Sequence, residues 1–315
     1  MASTAYVTTP GETRPVPSRV SVTDLLLLCM ALVWGFNFIV VKYATSVFAP
    51  LAFNSARIFL AILVLWPIVI ARGTPLPARR DLGGMLVLGM LGNGLYQILW
   101  VEGMARTRAS DAALLVAASP AFIEIIGRVR GHQRTGLRGL AGIALSLVGI
   151  GLVVSGASQA VGRDSTMLGN ALILGSVLCW AFYSVGLKPF TERVDGLTLS
   201  AVTMTGGMIP MLVAATPALL ATKWGDVRIA GWGAVAYSGL FALVLAYLFW
   251  YRGVRVLGPT RASMYSNLQP VVTMAAAWML LNETPRFSQV AGGLFIICGL
   301  LLTRLPDREA IVAHE

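Results

Sequence analysis

The chain has 315 residues, of which 57% are hydrophobic and 12% charged, and it carries a net charge of +10. Soluble domains carry about a quarter charged residues, so too few charges are present to cover a water-facing surface and the solvent of this chain is read as lipid. Its Lys and Arg residues stand singly or in small groups between apolar runs rather than in one stripe, which fits the loops of a membrane protein and excludes nucleic acid as a partner.

Residues 1–20 are polar and contain Pro10, Pro15 and Pro17, so they are read as a disordered cytoplasmic tail. No small-residue cleavage site follows the first apolar run, which is therefore expected to be a retained helix rather than a signal peptide. A spanning helix needs about 20 mostly apolar residues. Stretches 24–41, 51–71, 82–104, 110–128, 137–155, 168–187, 197–221, 232–251, 260–281 and 289–304 meet that need. The expected fold is an all-α integral membrane protein of ten transmembrane helices, closed by a cytoplasmic tail at 305–315. With the first residue inside, 16 of the 24 Lys and Arg fall in inside regions, 7 in outside regions, and Arg57 within a span. That bias predicts both termini in the cytoplasm and a multi-pass protein of the cell membrane.

The two halves repeat. Trp34-Gly-Phe-Asn-Phe-Ile-Val-Val-Lys42 parallels Trp180-Ala-Phe-Tyr-Ser-Val-Gly-Leu-Lys188. At a constant offset, Trp100 parallels Trp250, Gly103 parallels Gly253, Pro120 parallels Pro270, and Gly149 parallels Gly299. The halves are placed at 21–156 and 167–304. Five spans per half is an odd number, so the second copy must insert upside down. Two inverted five-helix repeats are a common construction of secondary transporters, because related halves can exchange conformations around a central site.

On these residues the sequence resembles the EamA family of the drug/metabolite transporter superfamily. The first repeat carries Trp34-Gly with Asn37 and Lys42, Arg57-Ile-Phe and Ser119-Pro120. The second carries Trp180-Ala-Phe-Tyr with Lys188, Gly258-Pro259-Thr260-Arg261, Leu268-Gln269-Pro270 and Leu281-Asn282-Glu283. The resemblance implies ten helices, a central substrate cavity and export of amino acids, related metabolites or drugs. One departure stands out: the position equivalent to Glu283 in the first repeat is Gln133.

Polar groups deep in a membrane face protein or water. Asn37, Asn93, Gln97, Ser119, Tyr183, Asn267 and Gln269 all lie well inside their spans, with Trp34 and Trp180 at similar depth. They either line a solute path, suited to a zwitterion or a neutral polar solute with an apolar part, or bond helix to helix. Pro120 and Pro270 are expected to kink their helices and free the carbonyls of Val116 and Ser266, either for a substrate or with packing alone filling the gap. Lys42, Arg57 and Glu102 fall near the outer ends of their spans, as a gate or a static clamp. Glu124 is read as pairing with Arg128 at i+4. Trp100 and Trp250 are read as headgroup anchors. Gly142, Ser146, Gly149, Gly292 and Gly299 are read as close helix contacts, within a monomer or at a homodimer interface.

Cys29, Cys179 and Cys298 are far apart and His132 and His314 lie in a loop and the tail, so neither metal ligation nor a disulfide framework is expected. There is no GxxxxGKS/T, HExxH or GxSxG sequence, hence no expected catalytic residue and no cofactor. The expected partners are a small-molecule substrate and the lipid bilayer. Readings from other classes are an organic-cation or multidrug efflux transporter, a membrane receptor or scaffold, and an integral-membrane enzyme.

Overall fold

The computed structural model describes residues 21–74, 76–129, 137–158 and 167–304. The two tails, Gln133 and the side chain of Arg128 lie outside the described residues. Among those residues the chain is helical throughout, without strands. Helix α1 (Val22–Val47) opens on a capping box, in which Ser21 and Asp24 each accept from the other's backbone N–H. Its 26 residues reach about 39 Å, more than the roughly 30 Å of a bilayer's hydrocarbon core. Helix α2 (Pro50–Ala71) starts on a proline, which lacks the N–H that a first turn would leave unpaired.

Helix α3 runs Arg79–Gly89, widens into a π-helix at Met90–Leu95 and continues as Tyr96–Arg106. Helix α4 is broken: Ala109–Val116, then Ser119–Val129. Helices α5 (Leu137–Ser158), α6 (Met167–Arg193) and α7 (Gly196–Ala221) follow. Helix α8 repeats the design of α3, with Ile229–Ala236, a π-helix at Tyr237–Leu245 and Ala246–Leu257. Helix α9 repeats the break of α4: Pro259–Ser263, a 3-10 turn at Met264–Asn267, then Leu268–Leu281. Helix α10 is Phe287–Arg304. Seven of these helices are long and apolar enough to cross a membrane, and shorter apolar stretches lie at Ala141–Ser155 and Phe287–Gly299.

The surface is inverted relative to a water-soluble protein. Leu25, Leu32, Phe59, Leu63, Val213 and Leu220 point outward, while Asn37, Asn54, Arg57, Asn93, Gln97 and Gln269 are buried. That is the distribution lipid imposes, since hydrocarbon offers polar groups no partner.

The repeats do not form separate cores. Helix α1 packs on α8 and α9, α2 on α7 and α8, α3 on α6 and α7, and α5 on α10. The two larger apolar cores mix the halves: one joins Phe38 and Trp100 to Ile173 and Ile296, the other Leu27 and Met85 to Trp180 and Trp250. Close approach depends on glycine. A Cβ on Gly92, in the π-helix of α3, would lie 2.2 Å from the Tyr183 ring of α6.

Candidate functional site: a cavity between the repeats

The polar residues of α1, α2 and α3 meet those of α6, α8 and α9 at mid-length. There they wall a narrow cavity of about 40 Å³, room for a few water molecules and, in this conformation, smaller than the usual small-molecule site.

Arg57 dominates the chemistry. It sits two turns into α2 and is 1% exposed. Its guanidinium is oriented from three sides. Nε donates to Asn54 Oδ1 at 2.6 Å, and Nη2 donates to Gln97 Oε1 at 2.6 Å. The group also faces the Trp100 ring at 5.1 Å and the Phe53 ring at 5.4 Å, a favourable place for a desolvated cation. The supports are themselves fixed. Asn54 Nδ2 donates to the Gln97 carbonyl at 3.0 Å, which turns its Oδ1 toward Arg57. Gln97 Nε2 lies 3.4 Å from the Tyr247 hydroxyl, which turns its Oε1 the same way.

Rings form the rest of the wall. Trp34 meets Trp180 edge to face at 5.7 Å and Tyr247 at 5.6 Å. Tyr96 lies 5.2 Å from Trp180. Trp34 Nε1 donates to the Ala242 carbonyl, in the π-helix of α8, at 2.9 Å. Asn37 Oδ1 accepts from Ser238 at 2.6 Å.

Of the deep residues picked from the sequence, Trp34, Asn37, Gln97, Ser119, Trp180 and Gln269 line this cavity. Asn93, Tyr183 and Asn267 do not. Asn93 is buried between helices, with Nδ2 3.5 Å from the Tyr183 hydroxyl. Tyr183 is fully buried and bonds Tyr251, hydroxyl to hydroxyl, at 2.8 Å. Asn267 ends the 3-10 turn of α9, outside the wall. Depth along a helix was the criterion, and depth says nothing of which side of the helix a residue takes.

Pro120 and Pro270 fall just after interruptions of the regular α-helix. The α4 break lies at Ala117–Ala118, and Ser119 Oγ donates to the Val116 carbonyl. In α9 the 3-10 turn precedes Pro270. Val116 and Ser266 both reach the cavity wall.

The expected grouping of Lys42, Arg57 and Glu102 is corrected. Glu102 pairs with Arg106 on its own helix. Lys42 donates to the carbonyls of Met104 at 3.2 Å and Thr107 at 2.6 Å, at the end of α3. Arg57 turns inward to Asn54 and Gln97. A lysine at the C-terminal carbonyls of a neighbouring helix, and an i,i+4 acid–base pair, satisfy the first two locally. Trp100 and Trp250 are corrected too. They are 4% and 0% exposed and belong to the interior, Trp250 against Trp34 and Trp180.

Sequence reading missed Asn54, Tyr96, Trp100 and Tyr247 as partners of the site and misplaced Arg57. Signals existed. Asn54 and Arg57 are spaced i,i+3 in a mostly apolar helix, Gln97 and Trp100 share that spacing, and Tyr247 is the repeat counterpart of Gln97.

At the end of the bundle near residues 106–109 and 281–287, a second polar cluster joins the repeats. Glu283 accepts from the backbone N–H of Ala109 and Ser110 at 3.1 Å each and from Ser110 Oγ at 2.7 Å. Arg108 lies 3.7 Å from Glu283 and donates to the Thr284 carbonyl at 2.9 Å. At the opposite end, Asp81 pairs with Arg193 at 3.2 Å, and Lys188 donates to the Arg255 carbonyl at 2.8 Å.

Comparison with known proteins adds to this geometry. The model of the EamA-like transporter family matches twice, over residues 21–155 and 167–305. An uncharacterized transporter of Archaeoglobus fulgidus is 29% identical over 293 residues, covering 92% of this chain and 99% of its own. The uncharacterized transporter YyaM of Bacillus subtilis is 27% identical over 280 residues, covering 88% of this chain and 92% of its own. The uncharacterized inner membrane transporter YedA of Escherichia coli is also 27% identical, covering 88% of this chain and 89% of its own. A solved crystal structure superposes with a TM-score of 0.65 at 18% identity, covering 91% of this chain and 99% of that one. At that identity the likeness is one of fold.

Proposed function

The chain belongs to the EamA-like transporter family, and on that premise we propose that it exports amino acids or related small metabolites across the cell membrane by alternating access through the cavity between its repeats. In this reading the helices α1–α10 are ten spans in two inverted halves, with both termini cytoplasmic.

One observation carries the reading. The cavity lies at mid-length and is built from both repeats, with counterparts meeting across it: Trp34 with Trp180, and Gln97 with Tyr247. A site on the interface of two related halves is where rocking one half against the other exposes it to alternate sides. The breaks in α4 and α9 border the same cavity and give each half a point at which to bend. Arg57 in the wall argues against an organic cation as the cargo, because a like charge raises the cost of entry.

The test is counterflow into liposomes holding the purified protein, with labelled neutral, aromatic, acidic and basic amino acids, small monocarboxylates and an organic cation. Saturable flux lost on changing Asn37 and Gln269 together to alanine supports the reading. Flux for no solute class, from folded protein, removes it.

A further inference from the structure

We propose that the cavity takes a small organic monoanion whose carboxylate is held by Arg57, in preference to a zwitterion or an amine of the same shape. This rests on the transporter reading and narrows it to metabolites that carry a carboxylate without an ammonium group.

The argument begins with an uncompensated charge. Among the described residues of the cavity wall, Arg57 is the only one with a formal charge. Its hydrogen-bond partners are two neutral amides, and no carboxylate among the described residues pairs with it. A buried cation is costly without a counter-ion, and at membrane depth such groups mark the path of a solute. Neutral amides orient a guanidinium without neutralising it.

The geometry then selects the ligand. Arginine has five N–H donors in a planar fork. The bonds to Asn54 and Gln97 use two, leaving three on a residue that lines the cavity. A fork with free donors suits a carboxylate, which can accept two parallel bonds. The rings of Trp34, Trp100 and Trp180 offer the remaining surface to an apolar or aromatic body.

Charge balance excludes the closest alternatives. A monocarboxylate brings the loaded cavity to zero. A zwitterion leaves it at one positive charge and requires an ammonium to be desolvated where the described wall has no acid to receive it. An amine adds a second positive charge to the first.

The experiment uses the full chain and two matched sets of ligands. One set is phenylpropionate, phenylalanine and phenethylamine, the other isocaproate, leucine and isoamylamine. Binding is read by quenching of tryptophan fluorescence in detergent, and movement by counterflow in liposomes. Each acid is expected to bind about tenfold or more tighter than its amino acid, whose ammonium must be desolvated with no acid to receive it, and the amines not at all. Arg57→Gln is expected to erase that preference. Because Arg57→Gln also removes bonds that hold α2 to α3, Gln97→Glu is the second variant. It keeps the shape and sets a carboxylate against the guanidinium, so it is expected to lose acid binding while remaining folded. An acid preference that survives in folded Gln97→Glu, or a wild-type protein that binds amino acids as tightly as the acids, overturns the assignment. Counterflow of amino acids without acid preference overturns the anion site and leaves transport standing. Acid binding that depends on Arg57, with no counterflow of any ligand, keeps the anion site and removes the transporter reading.

Discussion

Gln97 and Tyr247 are separated by 150 residues, occupy the same place in the two repeats, and touch, with Gln97 Nε2 3.4 Å from the Tyr247 hydroxyl. Ser146 and Ile296 stand at the same separation and also meet, Ser146 Oγ lying 3.4 Å from the Ile296 carbonyl. Around that second pair the contacts are reciprocal: Gly149 against Gly292 and Gly142 against Gly299. Under a two-fold relation, a residue on the axis meets its own counterpart and its neighbours exchange partners. The pseudo-symmetry therefore runs through both the cavity and the α5–α10 contact. Antiparallel α5 and α10 join the halves back to back, beside a cavity that the halves share.

The α5–α10 contact is a place where a single methyl group matters. A Cβ on Gly149 would lie 2.6 Å from the Gly292 carbonyl oxygen, and one on Gly299 would lie 2.4 Å from that of Gly142. Gly149→Ala and Gly299→Ala are expected to destabilise the protein by about 1–3 kcal/mol each, as overpacking does. Gly151, with nothing within 4 Å of its Cβ position, is the control. Alanine there is expected to leave thermal unfolding in detergent unchanged or raise its midpoint. Equal losses at all three positions would show that helix contact is not the cause.

Removing the amide of Gln97 isolates the support of Arg57. Gln97→Leu leaves the guanidinium with Asn54 as its one hydrogen-bond partner, and the lost charge-assisted bond is expected to cost about 1.5–3 kcal/mol. Tyr247→Phe removes a weaker, 3.4 Å bond to the same amide and is expected to cost less than about 1 kcal/mol. Unfolding midpoints of the two variants measure the order, and a larger loss for Tyr247→Phe would contradict it.

Glu283 is a cap supplied from the loop between α9 and α10. It accepts two N–H groups at the start of α4, where a helix leaves its first donors unpaired and favours negative charge. Glu283→Ala is expected to lower stability by about 1–2 kcal/mol, and Glu283→Gln, which keeps an acceptor but not the charge, by less. Hydrogen exchange should rise first at Ala109 and Ser110. Protection unchanged there in Glu283→Ala would rule out the cap.

Much of this architecture was legible in the sequence because lipid writes it plainly. Apolar runs gave the helices, and the spacing of Trp34-to-Lys42 and Trp180-to-Lys188 gave the duplication. Six deep polar or tryptophan residues placed by depth do line the cavity. The failures share one cause. Arg57, Trp100 and Trp250 were judged by distance from the end of a span, on the rule that charges and tryptophans seek the interface. Each instead faces inward, where a second helix offers Gln97, Phe38 or Trp180. Azimuth around a helix depends on which neighbouring helices it packs against, and spacing along one helix does not give them. The helix breaks beside Pro120 and Pro270 were anticipated as kinks, since a proline forecasts the lost hydrogen bond but not how far the helix unwinds.

Asp195 ties the bundle to pH at the turn before α7. It caps that helix, accepting from Leu197 N–H at 3.1 Å, Thr198 N–H at 2.9 Å and the Thr198 hydroxyl at 2.8 Å. Burial pushes its carboxyl up, but these bonds and the charge of Arg72 outweigh burial and hold it below the usual value of 3.8. A carboxyl with a lower pKa in the folded state contributes stability that is full above the unfolded value and is lost as pH falls through the folded one. Asp195→Ala is therefore expected to cost about 0.5–1 kcal/mol near neutral pH, the low end for a cap because water screens this exposed site. The gap between wild type and variant should narrow as the pH drops below about 4. Asp195→Asn keeps a good capping side chain without the titration, so its stability relative to Asp195→Ala should not depend on pH. Unfolding midpoints of the three proteins across that range decide the matter, and a wild-type advantage over Asp195→Ala that grows in acid would reverse the sign and refute the cap's electrostatics.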